Sequence, residues 1–154
     1  MSVEPQSAGP LILEQQICYA LSIAARGVVA AYRPLLGPLG LTHPQYLAMV
    51  ALWQHGPLRV KEMGALLSLD SGTLSPLLKR LDAMGLVTRQ RAVRDERQVT
   101  VALTGRGEDL RGPAEEVHAE VERLLGLNAD ELVQLQTVLE RVTEATGGSK
   151  APSL

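Results

Sequence analysis

Apolar positions recur at helical spacing over most of the chain. Ile17, Leu21, Ala24, Ala25, Val28, Tyr32 and Leu35 fall three and four residues apart, which predicts one long helix over 11–36. Pro34 sits near its end, and Gly37-Pro38 stop it. Thr42 reads as the N-cap of a second helix with Pro44 in its first turn, and Gly56-Pro57 end that helix. Tyr46, Leu47, Val50 and Trp53 are expected on its buried side. A short third helix is predicted over 60–67. A fourth starts within 71–73 and runs to about 84, with Gly85 as its C-cap. Its stripe of Leu74, Leu77, Leu78, Leu81 and Met84 leaves Gly72, Ser75, Pro76 and Lys79 on the opposite side, flanked by Thr73 and Arg80. Pro76 fits only near the start of that helix, where a missing N–H would be unpaired anyway.

The period then changes from helical to alternating. Val99, Val101 and Leu103 alternate with Thr100 and Ala102, which predicts strands over 86–91 and 98–103. Between them lies a charged hairpin tip containing Arg94, Asp95, Glu96 and Arg97. Two acidic amphipathic helices follow over 105–126 and 129–146, the second capped by Asn128. Residues 1–10 and 147–154 lack periodicity and read as tails. The expected unit is one domain over 11–146, mainly α with a small β part. Short helices followed by a β-hairpin predict a winged helix-turn-helix over 42–104. The long helices of 11–40 and 105–146 suit a dimerisation scaffold.

Composition narrows the possibilities. Apolar residues form 45% of the 154, but aromatics only 3%, with no Phe, so Leu, Val, Ala and Met must fill the core. The single cysteine excludes an intrachain disulfide or a zinc–cysteine cluster. The most apolar stretch, 17–31, is too short for a membrane span and contains Arg26. The opening residues carry no basic group, so a secretory signal is not expected and a reducing cytoplasmic setting is. The net charge of -2 hides an asymmetry: the middle, 57–104, carries an excess of bases, whereas 105–154 is strongly acidic. A basic middle between neutral and acidic flanks points to a polyanionic partner for the middle alone. His43, His55 and His118 share no ligand spacing, so no metal role is assigned, and no cofactor pattern is found.

Several segments taken together resemble the MarR family of winged-helix transcription regulators, and within it the one-cysteine organic-hydroperoxide sensors of the OhrR subfamily. These are Leu13-Glu-Gln-Gln-Ile-Cys-Tyr-Ala20, Ala31-Tyr-Arg-Pro-Leu35, Leu41-Thr-His-Pro-Gln-Tyr46, Leu69-Asp-Ser-Gly-Thr-Leu74, Pro76-Leu-Leu-Lys-Arg80 and Asp95-Glu-Arg97. The resemblance implies that Cys18 is the peroxide-sensing thiol and that Tyr32 of a partner subunit hydrogen-bonds its sulfur, with Tyr46 a second phenol near the pocket for the same role. Oxidation would give a sulfenic acid and then a mixed disulfide with a small cellular thiol. Cys18 and Tyr32 are 14 residues apart, about 21 Å along one helix, so they cannot touch within it. The implied bond therefore crosses between two antiparallel first helices of a homodimer. Relatives often carry tyrosine where this chain has Ser22 and His43.

For the reader of DNA, Ser71, Gly72, Thr73 and Ser75 are expected to face the major groove, with Lys79 and Arg80 on the backbone. Arg94 or Arg97 would enter the minor groove, Asp95 would pair with Arg97 to hold the wing, and Arg89 would add positive charge. The partner would be double-stranded DNA carrying an inverted repeat. Two other functions compete with a peroxide-released repressor. One is a repressor released by a small aromatic ligand, with Cys18 inert. The other is a thiol peroxidase, which lacks a resolving cysteine and leaves the winged helix unexplained.

Overall fold

The computed structural model describes residues 11–95 and 98–148. A short 3-10 turn, Leu13–Gln15, precedes helix α1, Ile17–Leu36. The first helix thus starts later than its apolar pattern suggests. Gln16 is extended (φ -76°, ψ 120°), which separates the turn from the helix and puts Cys18 in the first turn of α1. Pro34 stays inside the helix, and the chain leaves through Gly37–Leu39 and left-handed Gly40.

Helix α2, His43–His55, is the central rod. Thr42 and Gln45 form a reciprocal cap: Gln45 N–H donates to Thr42 Oγ1 at 3.4 Å, and Thr42 N–H donates to Gln45 Oε1 at 2.9 Å. Its burial differs from the expected single stripe. Gln45, Tyr46, Ala48, Met49, Ala51 and Leu52 are buried, Val50 and Trp53 half-buried, and Leu47 exposed. The reason is packing on several sides, by α1 and by the two helices that follow.

Helix α3, Val60–Leu67, and helix α4, Ser71–Ala83, form the helix-turn-helix pair. Their turn is tight: Ser68 is left-handed (φ 52°), and a Cβ on Gly64 would lie 2.9 Å from the Leu69 carbonyl oxygen. Asp70 caps α4, accepting from Thr73 N–H at 2.8 Å. Leu74, Leu77, Leu78 and Leu81 are buried, as their spacing predicts. Because α4 begins at Ser71, Pro76 lies in its second turn rather than its first. It therefore deprives the Gly72 carbonyl of its in-helix donor.

Strands β2, Val87–Arg91, and β3, Val99–Leu103, pair antiparallel, with Val87 opposite Leu103 and Arg91 opposite Val99. A third strand, β1 (Leu58–Arg59), adds to the other edge of β3 through Leu58 opposite Val101. Two residues carry no alternation, so this strand leaves no periodic signal. The predicted helix over 105–126 is in fact two, α5 (Gly105–Asp109) and α6 (Arg111–Leu125). Pro113 explains the break, because in a continuous helix its ring would meet the Asp109 carbonyl. Helix α7, Ala129–Ala145, is capped by Asn128 through a reciprocal pair with Glu131.

One joint links the sheet to the C-terminal helices. Thr104 Oγ1 donates to the Gly85 carbonyl at 2.6 Å and accepts from Gly107 N–H at 3.1 Å. Trp53 Nε1–H donates to the Gly107 carbonyl at 3.0 Å. Any Cβ on Gly107 would collide with the Leu86 carbonyl oxygen, so only glycine fits there. No helix among the described residues is long and apolar enough to cross a membrane.

Candidate functional site

Three regions collect the residues of interest. The first is the outer face of α4. Ser71, Gly72, Thr73, Ser75, Lys79 and Arg80 are all exposed there, while the leucines behind them anchor the helix in the core. The N-terminal turn thus offers hydroxyls and unpaired N–H groups, and Lys79 and Arg80 supply charge about two turns on.

The hairpin after β2 carries exposed Arg91, Val93, Arg94 and Asp95. Its turn is closed by Ala92 N–H to the Gln98 carbonyl at 2.8 Å and Gln98 N–H to the Asp95 carbonyl at 3.0 Å. Glu96 and Arg97 lie outside the described residues, and with them the expected Asp95–Arg97 pair. Arg89 is exposed as well. Its Nε donates to Asp82 Oδ2 at 2.9 Å, tying β2 to the recognition-type helix α4. Asp82 was missed by sequence reasoning, since nothing in a helical pattern reveals a partner on a strand seven residues later.

The second region is a cluster of rings between α1 and α2. Tyr32 lies with its ring centroid 5.0 Å from His43 and 5.2 Å from Tyr46, while His43 and Tyr46 are 6.3 Å apart. Tyr46 is only 5% exposed. Burial, the neighbouring Tyr32 and a hydrogen bond to that side chain all push the Tyr46 phenol well above its usual value. His43 is half-buried, and burial lowers its pKa below the ordinary 6.5, favouring the neutral imidazole. His43 joins this cluster although the sequence flagged it only as a departure from relatives.

The third region holds Cys18, an exposed free thiol in the first turn of α1. Tyr32 lies on the same uninterrupted helix, about 21 Å further along its axis, so the chain's own cysteine and tyrosine are kept apart. Around Cys18, the apolar Leu13, Ile17, Leu21 and Ile23 are exposed, and Ile17 is 69% exposed. Helix α7 buries no residue at all, and its Val133, Leu135, Val138, Leu139 and Val142 are likewise exposed. No group of residues suited to holding a metal ion occurs among the described residues.

The family model described as "MarR family" matches residues 41–99, which run from the start of α2 through the wing. The organic hydroperoxide resistance transcriptional regulator of Bacillus subtilis is 42% identical over 132 residues, covering 86% of this chain and 90% of its own. The chain belongs to the MarR family. It is a MarR-family transcriptional regulator, and the family and the relatives found are regulators rather than enzymes. Among solved structures, this MarR chain resembles reduced AbfR bound to DNA, from Staphylococcus epidermidis, with a TM-score of 0.77 at 29% identity. That match covers 88% of this chain and 92% of the other. Overoxidized AbfR bound to DNA matches with a TM-score of 0.74 at 30% identity, over 87% of this chain and 94% of the other. The winged-helix architecture read from the sequence is therefore that of its MarR relatives.

Proposed function

We propose that this chain is a homodimeric repressor that binds an inverted repeat in double-stranded DNA and releases it when an organic hydroperoxide oxidises Cys18. The observation that carries this reading is the placement of Cys18. It is the only thiol of the chain, exposed in the first turn of a helix whose N-terminal half leaves its apolar side chains uncovered. A second copy packed antiparallel along α1 would cover that face and bring its Tyr32 to Cys18. The uncovered face of α7 would join the same interface, which should bury well over about 1,000 Å². The regulator name of the Bacillus relative and the DNA-bound neighbours support the same direction.

The chemistry follows from the thiolate. Its sulfur attacks the distal peroxide oxygen, the O–O bond breaks, and the organic fragment leaves as an alcohol after taking a proton. The sulfenic acid then reacts with a small thiol, forming a mixed disulfide and releasing water. Tyr32, donating from the second copy, stabilises the thiolate before the attack. A single added oxygen is a small change, and the AbfR neighbour is found on DNA even when overoxidized. The thiol adduct is the bulkier group, and insertions far smaller than it cost about 1–3 kcal/mol in a packed interface. About 2.7 kcal/mol lowers operator affinity roughly a hundredfold. On the DNA side, two copies of α4 would read half-sites about 34–36 Å apart, with Ser71, Gly72, Thr73 and Ser75 towards the bases. Lys79 and Arg80 would hold phosphates, and Arg94 and Arg97 of each wing would reach the minor groove.

The test uses an operator selected from random DNA by the reduced protein. Cys18→Ser should bind it as tightly as the reduced chain and stay bound when cumene hydroperoxide and a small thiol are added. The unmodified chain should release it and rebind after dithiothreitol. Release of Cys18→Ser by peroxide would overturn the redox reading and leave a ligand-released regulator.

A further inference from the structure

We propose that Val93, at the tip of the wing, packs its two methyl groups between the sugar walls of a narrow DNA minor groove, which makes the wing a reader of groove shape as well as a charged anchor. This rests on the proposed docking of the wing on DNA and extends it to a residue that carries no charge. Within the winged middle, among the described residues, the large apolar side chains left exposed are Leu47, at 39%, and Val93, at 103%. Val93 thus gains no burial from its own chain. The turn that carries it is nonetheless fixed. Ala92 N–H donates to the Gln98 carbonyl at 2.8 Å, and Gln98 N–H to the Asp95 carbonyl at 3.0 Å. Arg89 ties the β2 side of the hairpin to Asp82 of α4 at 2.9 Å, so the wing is braced against the helix with the open polar face. Exposed Arg91 and Arg94 flank Val93 in sequence.

A fully exposed branched side chain contributes nothing to the packing of the hairpin, and polar residues are the usual occupants of such a tip. The neighbours set the partner. Two cations beside an apolar group match a duplex, where phosphates rim the groove and the deoxyribose walls beneath them are apolar. The B-form minor groove is about 6 Å wide, close to the breadth of a branched three-carbon side chain. Valine is stiff about χ1, so little rotamer freedom is lost when it docks. It is also too short to part stacked base pairs, so it reads the width of the groove rather than wedging a step open. The guanine N2 amino group stands in that groove, whereas A·T pairs place no donor there. Narrow A·T-rich steps therefore bring both walls to the methyl groups, and G·C pairs hold them off.

The experiment uses the full-length reduced chain and the operator it selects from random DNA. Val93→Ala, Val93→Thr and Arg94→Ala are compared by operator affinity across a salt series, with melting temperature and binding to unrelated DNA of the same length as controls. Val93→Ala should bind the operator about fivefold more weakly, as partial burial of two methyl groups predicts, and Val93→Thr about threefold. Neither should change the salt slope, because no charge is lost, whereas Arg94→Ala should make it shallower by about one. Each base pair flanking the half-sites is then set in turn to inosine·cytosine and to guanine·cytosine. These share a major-groove edge and differ only by the minor-groove amino group. At one position beside each half-site the parent should prefer inosine by about fivefold, and Val93→Ala should lose most of that preference. Parent-like operator affinity in both Val93 variants, an equal loss on unrelated DNA, a shallower salt slope in either variant, or an inosine preference that Val93→Ala keeps in full would each overturn the proposal. If Arg94→Ala flattens the salt slope while both Val93 variants bind like the parent, the wing still docks and only the role of Val93 falls. If all three variants bind like the parent at every salt concentration, the docking itself falls and takes this inference with it.

Discussion

The winged-helix middle and the terminal helices solve the problem of apolar surface in opposite ways. In the middle, Met49, Leu52, Met63, Leu74, Leu78, Leu81, Val87 and Val101 are each at most 1% exposed, in a core to which α1 adds only Leu36 and α6 only Ala114 and Val117 as buried residues. Helix α7 is as long as many core helices and has an apolar stripe, yet buries nothing. The first half of α1 is similar. Helical spacing marks an apolar face but does not say which molecule covers it. The division places the two candidate chemistries on different supports. The polar face of α4 stands on an internal core, which holds its side chains in fixed register. In the proposed dimer Cys18 would be held by packing between copies, so a change at the sulfur would alter how two copies fit before it altered either core.

The largest effect should come from charging the uncovered region. Val138→Glu together with Val142→Glu should leave the middle folded, with native helical circular dichroism. Sedimentation at micromolar concentration should show a monomer, and operator affinity should fall by about a hundredfold or more, since a pair of unpaired buried charges is strongly disfavoured. If α7 is free surface, sedimentation will not change and the contrast between the two regions collapses.

An intermediate effect is expected from the closed core. Leu78→Ala removes a side chain that is 1% exposed. It should cost about 2–5 kcal/mol of unfolding free energy in a denaturant titration. A loss under about 1 kcal/mol would mean that the core relaxes around the gap and is less closed than its burial indicates.

The smallest effect tests the link between helix and wing within the middle. The Arg89–Asp82 pair is exposed on both sides, so its direct worth to stability is about 0–1 kcal/mol. If Arg89 acts as a strut, Asp82→Ala and Arg89→Ala should weaken operator binding by a similar factor, about two- to fivefold. The salt dependence should stay as in the parent. A salt slope shallower by about one in Arg89→Ala alone would instead place this guanidinium on a phosphate.

Much of the architecture was readable from residue pattern because local rules and tertiary structure agree there. The Thr42, Asn128 and Gly85 boundaries, the leucine stripe of α4 and the alternation of β3 are examples. The failures share a physical origin. Strand β1 is too short to show a period, and its pairing with β3 is set by distant residues. The break between α5 and α6 was hidden because apolar spacing continues across Pro113, while the backbone cannot. Burial around α2 was misread because a rod packed on several sides has no single buried face. For the site, the exposed positions on α4 followed from periodicity. Cys18 and Tyr32 acquired meaning only from family resemblance, since a cysteine and a tyrosine on an apolar stripe are ordinary core residues. The Tyr32–His43–Tyr46 cluster and the Asp82–Arg89 tie needed three dimensions, because each joins separate elements.

Trp53 is the only tryptophan in a chain without phenylalanine, and its indole N–H is anchored to the Gly107 carbonyl at 3.0 Å. That bond spans the joint where the winged middle meets α5 and the C-terminal helices. The chain therefore carries an unlabelled optical gauge at the place its two regions are hinged. Emission excited in the indole band comes from this one position. A rotation of the helices against the wing lengthens the bond, lets water compete for the N–H and shifts the emission to longer wavelength. The proposed coupling between Cys18 and α4 can thus be followed in real time, in solution, with nothing attached to either end.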